Sequence, residues 1–152
     1  DGFRKLAAGI ESLPGLKLAF ETHMVYLHDL PEPSKKLVDG IGSPAVGLLL
    51  DYSNMVLFPN VPPMTKVIEM LGDRIYYVHL NNLLVIPGVG GAAHFRVGLA
   101  DGEINNREML RCLKQRGYNG PLCIEAPRPG DREWFAQQDL AYLKSLLKDL
   151  DW

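Results

Sequence analysis

Two periods of apolar residues alternate along this chain. Phe3, Leu6, Ala7, Ile10 and Leu13 recur at helical spacing, and Pro14-Gly15 stops that helix before the apolar run 16–20. A helix therefore feeds a strand. After a polar loop, Pro33 and Ser34 open a short helix carrying Leu37, Val38 and Ile41, which Gly42-Ser43-Pro44 ends ahead of a second apolar run at 45–50. Pro62-Pro63 precede Met64, Val67, Ile68 and Leu71, again at i, i+3, i+4, i+7, and Gly72-Asp73 leads into a strand at 75–79. A Gly-rich, Pro-containing stretch at 81–102 is too long for a simple connector and reads as a functional loop. Residues 104–117 then read as a helix and 122–125 as a fourth strand. Residues 131–150 read as a closing helix with Leu140, Leu143 and Leu147 on one face. Short strands of continuous apolar residues are buried on both faces, which predicts an α/β fold: about four parallel strands alternating with helices.

Length changes that picture. One domain spanning 1–152 holds a real core, but a complete eight-unit (β/α) barrel takes about 250 residues. A partial barrel exposes two strand edges and one side of the sheet, both aggregation liabilities unless something covers them. Either N-terminal β/α units are absent from this chain, which is the favoured reading, or the chain pairs with another copy or subunit as a homo-oligomer or hetero-complex. The start at Asp1 without a methionine predicts processing or truncation upstream. No apolar run approaches the roughly 20 residues of a spanning helix, so no membrane partner is expected.

Charge excludes a further class. The net charge is −2 and no lysine–arginine cluster tracks a phosphate backbone, so nucleic acid is not an expected partner. Cys112 and Cys123 fall in a helix and a buried strand without metal-type spacing, which fits a reducing cytoplasm.

The chemistry lies at the strand ends. Each strand closes on a donor group: Leu-Ala-Phe-Glu21, Leu-Leu-Leu-Asp51, Tyr-Val-His79 and Cys-Ile-Glu125. In a parallel barrel the carboxyl ends of all strands open onto one face, so residues distant in sequence converge there. Three carboxylates and an imidazole suit Mn²⁺, Mg²⁺, Co²⁺ or Zn²⁺ with positions left open for substrate oxygens, and the lack of thiolate argues against a structural zinc. An acid or histidine at one strand end is often a helix cap; four in four strands is harder to dismiss. His23 lies two residues past Glu21, so a strand that persists would turn it toward the same side, and otherwise it is a loop histidine bonded to backbone.

The segments Phe20-Glu21-Thr22-His23, Leu50-Asp51-Tyr52-Ser53-Asn54, Val78-His79-Leu80-Asn81-Asn82, Val97-Gly98-Leu99-Ala100-Asp101-Gly102-Glu103-Ile104 and Gly117-Tyr118-Asn119-Gly120-Pro121-Leu122-Cys123-Ile124-Glu125 resemble the second half of the sugar phosphate isomerase/epimerase family. That family has the xylose isomerase-like TIM barrel fold, so the resemblance implies the C-terminal half of a (β/α)8 barrel whose intact form is required for activity. It implies one divalent metal, commonly manganese, on Glu21, Asp51, His79 and Glu125. Glu21 and Glu125 would exchange a proton with a substrate carbon through a metal-bound ene-diolate, as in isomerisation or epimerisation of a sugar or related hydroxy-carbonyl compound in carbohydrate metabolism. Arg96, with His94, occupies the loop where members set a basic residue over substrate oxygens; His23 and Asn54 are further substrate-binding candidates. A lyase or dehydratase on the same site, including carbon–glycoside cleavage, is the alternative, and an endonuclease IV-like phosphodiesterase a third. Two departures count: Asn54 stands where many members have histidine, and Asn82 where many have an acid. The first argues against a multi-zinc endonuclease site; the second separates the substrate from that of the best-known sugar epimerases.

Overall fold

The computed structural model describes residues 2–88 and 91–152. Its elements run α1 (Gly2–Glu11), β1 (Leu18–Glu21), α2 (Pro31–Ile41), β2 (Val46–Leu50), α3 (Tyr52–Met55), α4 (Met64–Leu71), β3 (Ile75–Leu80), β4 (Leu83–Gly88), β5 (Gly91–Arg96), α5 (Asn106–Gln115), β6 (Leu122–Ile124) and α6 (Arg132–Asp149), with a 3₁₀ turn (Gly72–Arg74) between α4 and β3. Strands β1, β2, β3 and β6 form one sheet in that order, while β4 and β5 form a separate pair. β1 pairs in parallel with β2 (Leu18 opposite Val46, Glu21 opposite Leu49) and β2 with β3 (Leu48 opposite Ile75, Leu50 opposite Val78). This is the α/β alternation that the hydrophobic rhythm predicts.

The chain divides into two compact units, and β3 runs through the division: Asp1–Val78 with Tyr118–Pro121, and His79–Gly117 with Leu122–Trp152. In the first unit, Val46, Leu48 and Leu50 of β2 are fully buried, together with Val38 of α2 and Val67, Ile68 and Leu71 of α4. All β2 positions but Leu49 are buried, as suits a parallel strand covered on both faces. α2 starts at Pro31, whose fixed φ suits a first helical position, and stops at Gly42 in the left-handed region (φ 78°), whose N–H donates to the Val38 carbonyl at 3.1 Å. In the second unit, Leu80, Leu99, Met109, Leu110, Leu113 and Leu146 form the core.

Three local differences from the sequence reading have physical causes. Residues 81–102 are not a simple loop, because Leu83–Gly88 and Gly91–Arg96 pair antiparallel, with Leu83 opposite Arg96 and Val85 opposite His94. The β-branched and leucine run at 83–86 supplies strand propensity, and Pro87 is tolerated because a two-stranded ribbon leaves each strand an unpaired edge. The one-turn helix α3, unmarked by periodicity, is nucleated by its cap, Asp51, whose side chain accepts from the Asn54 N–H. In α6 the buried stripe is Asp139, Leu143 and Leu146, and Leu140 is exposed, because Asp139 is drawn inward by an arginine and displaces the expected leucine face.

Candidate metal centre

In the first unit, β1 ends on Glu21 and β2 delivers Asp51 one residue past its last strand position. Thr22, fully buried, fastens these two ends: its N–H donates to Leu49 O (3.0 Å), the Asp51 N–H donates to Thr22 Oγ1 (2.9 Å), and the threonine hydroxyl reaches Asp51 O at 3.3 Å. The Asp51 side chain is also fully buried; Oδ1 accepts from Ser53 Oγ at 2.8 Å and from Asn54 N at 3.3 Å. Asp51 is therefore a helix cap and also a candidate ligand, since one of its oxygens and one of Glu21 lie within 4.8 Å of each other. Two carboxylates at such a separation repel, and a cation beside them offsets that repulsion. Asn54 is buried, and its Nδ2 donates toward Glu21 Oε1 and Thr22 O, both at 3.4 Å. His23 lies beyond the end of β1. Its Nδ1 is 3.1 Å from the Met24 carbonyl, and its ring meets Tyr26 edge-on at 5.5 Å.

In the second unit, the last turnings of β3 and β6 bring His79 Nδ1 to 3.4 Å from Glu125 Oε2. The Glu125 N–H continues the ladder by donating to Leu80 O at 2.8 Å, which fixes the backbone from which that carboxylate projects. Three residues past His79, Asn82 is buried and spends its whole amide on backbone. Oδ1 accepts from Leu83 N (3.0 Å) and Ile104 N (2.8 Å), and Nδ2 donates to Leu99 O and Ile104 O, both at 2.9 Å. Gly102 passes so close that a Cβ there would lie 2.2 Å from Asn82 Oδ1, so only glycine fits. An aspartate at 82 has no donors for those two carbonyls, which accounts for an amide at this position. Asn82 thus sets the root of the β4–β5 ribbon, on which His94 is exposed and Arg96 half-buried at the end of β5. Arg96 is on a strand, not in a loop.

The pattern of the xylose isomerase-like TIM barrel family matches residues 1–146. The chain belongs to that family. Among solved xylose isomerase-like barrels, a protein from Mycobacterium smegmatis determined in complex with magnesium superposes with a TM-score of 0.78 at 21% identity, covering 98% of this chain and 52% of that one. D-allulose 3-epimerase from Methylomonas sp. gives a TM-score of 0.74 at 22% identity over 95% of this chain and 53% of its own. An L-ribulose 3-epimerase gives 0.75 at 19% identity over 98% and 54%. Among curated proteins, the 3-dehydroshikimate dehydratase of Pseudomonas putida is 29% identical over 114 residues, 73% of this chain and 18% of that protein. The chain thus spans about half the length of these solved relatives and under a fifth of the curated one. At these identities the solved barrels establish the fold.

Reasoning from sequence missed Thr22 and Ser53, which orient Asp51. Both are small hydroxyl residues beside a strand-end acid, and only the adjacency of β1 and β2 reveals what they bond.

Proposed function

We propose that this chain supplies the metal site of a divalent-cation-dependent isomerase or epimerase acting on a sugar-like hydroxy-carbonyl compound, with Glu21, Asp51, His79 and Glu125 holding one cation. The observation that carries this reading is topological: β1, β2, β3 and β6 are neighbours in one parallel sheet, and each carries one of those four groups within one residue of its carboxyl end. Three carboxylates and one imidazole make a hard to borderline donor set, which fits Mn²⁺, our first expectation, as well as Mg²⁺, Co²⁺ and Zn²⁺. A cation bound there would polarise neighbouring carbonyl and hydroxyl oxygens and acidify the carbon proton between them.

The rest of the chemistry belongs to the chain's own residues. Glu21 and Glu125 act as the proton-transfer pair, one taking the carbon proton and the other returning it. Asn54, bonded to Glu21 Oε1, holds that carboxylate in one rotamer. His23, His94 and Arg96 are assigned to substrate oxygens, Arg96 through its planar guanidinium. The unpaired thiols of Cys112 and Cys123 fit a reducing, cytoplasmic setting.

The similarity to a 3-dehydroshikimate dehydratase favours a second reading, elimination from the same carbanion, of which dehydration and carbon–glycoside cleavage are instances. Turnover of candidate hydroxy-carbonyl compounds in deuterated water separates the two. Isomerisation gives product of substrate mass carrying at most one exchanged label, whereas elimination gives a product lighter by water or an aglycone. Absence of metal-stimulated turnover with every hydroxy-carbonyl class would contradict both.

A further inference from the structure

The salt bridge between Arg128 and Asp139 lies outside the proposed metal ligands and is the most enclosed ion pair described in the second unit. Its side chains are 11% and 6% exposed, and Arg128 Nη1 meets Asp139 Oδ2 at 2.6 Å. Desolvating two charges is costly, so a pair kept this dry invites the question of what else it holds. Three further contacts answer it. Arg128 Nη1 also donates to the Ala126 carbonyl at 3.2 Å, one residue past Glu125. Asp139 Oδ1 accepts from the Leu99 N–H at 2.9 Å. The guanidinium carbon lies 4.2 Å from the centre of the Phe135 ring, closing the remaining face. Gly98 leaves no slack, since a Cβ there would approach Asp101 Oδ2 at 2.5 Å and both members of the pair at 3.3 Å.

We propose that Arg128 is a positioning residue for Glu125. The Glu125 backbone is bracketed on two sides: its own N–H is tied to Leu80 O on β3, and the next carbonyl, Ala126 O, is tied through Arg128 to Asp139 on α6. The first tie sets where the strand ends. The second sets the direction in which the chain leaves it, and therefore the angle at which the carboxylate projects beside His79. The pair acts through the peptide that follows Glu125. The inference rests on the reading of Glu125 as a metal ligand, and its test is built to fail separately from that reading.

The test measures Mn²⁺ affinity by titration calorimetry and the visible spectrum of the Co²⁺-loaded protein, alongside urea stability. Glu125→Gln comes first: affinity equal to wild type would refute the ligand assignment itself, and this inference with it. Given a weakened Glu125→Gln, the informative protein is Arg128→Met combined with Asp139→Asn, which leaves no buried charge unpaired and keeps an acceptor for Leu99 N–H while removing the tie to Ala126. Loss of Mn²⁺ affinity by about tenfold, with a shifted Co²⁺ absorption band, is the expected result. Affinity within threefold of wild type with an unchanged Co²⁺ spectrum, whatever the urea stability, would overturn the proposal. Arg128→Lys guards against misfolding of the double variant, because its ammonium keeps a positive charge near Asp139 but ends one bond short of the Nη1 that serves both Asp139 and Ala126. It too is expected to weaken Mn²⁺ binding and shift the Co²⁺ band, and wild-type behaviour of a folded Arg128→Lys protein would equally overturn the assignment.

Discussion

The Asp51 carboxylate caps α3 through the Asn54 N–H and accepts from Ser53 while one of its oxygens lies within 4.8 Å of one from Glu21. These two duties separate chemically: a cap needs an acceptor oxygen, a ligand needs charge. Asp51→Asn is therefore expected to keep the fold within about 1 kcal/mol of wild type, because the amide oxygen still caps. The same change should weaken Mn²⁺ binding tenfold or more; paired urea and calorimetric titrations read both. Asn82 makes the opposite case. Asn82→Asp removes the donors to Leu99 O and Ile104 O and introduces a buried charge, so a loss of at least about 2 kcal/mol in urea unfolding is expected. At this scale the strand-end acids and His79 are legible in the sequence because each terminates an apolar run. Thr22, Ser53 and Arg128 are not, because what they bond lies on a neighbouring element or depends on how the chain turns, and no spacing announces it.

Elements reproduce the hydrophobic rhythm wherever one period dominates a segment. β2 is legible because its apolar residues are continuous, and α4 because Met64, Val67, Ile68 and Leu71 keep one helical face buried. The β4–β5 ribbon is hidden by its own glycines and Pro87, which read as loop although Leu83–Gly88 and Gly91–Arg96 supply the pairing partners. In α6 a buried ion pair replaces part of the leucine stripe, which a periodicity count treats as a polar surface position. The turn feeding β6 carries a pH signature. Tyr118 donates its hydroxyl to Pro121 O at 2.7 Å, and burial, reinforced by the Tyr77 phenol, pushes its pKa well above the usual value. A group whose folded pKa is raised contributes stability that is complete below its unfolded pKa, about 10, and is lost as pH rises past it. Wild-type stability is thus expected to fall between pH 9 and 11 more steeply than that of Tyr118→Phe, as read by urea midpoints at each pH. Equal slopes would contradict the assignment.

For the molecule as a whole, charge bears on the proposed function. A net charge of −2 and Asn54 in place of a further imidazole ligand oppose an endonuclease, so no salt-dependent binding to an abasic duplex is expected in a fluorescence titration between 50 and 200 mM salt. Binding with a steep salt slope would reopen that reading. The (β/α) architecture is legible from alternation alone, whereas its being part of a barrel is legible only from length, since each β/α unit buries its residues much as the next does. What the fold contributes is a row of parallel strands whose carboxyl ends present Glu21, Asp51, His79 and Glu125 in order along one sheet. The claim that these four hold a single divalent cation is tested most directly by anomalous scattering at the manganese edge from crystals grown with Mn²⁺. The account predicts one strong peak bonded by all four side chains, lost when Asp51 is changed to Asn; a peak elsewhere, or none at those strand ends in a well-ordered crystal, would contradict it.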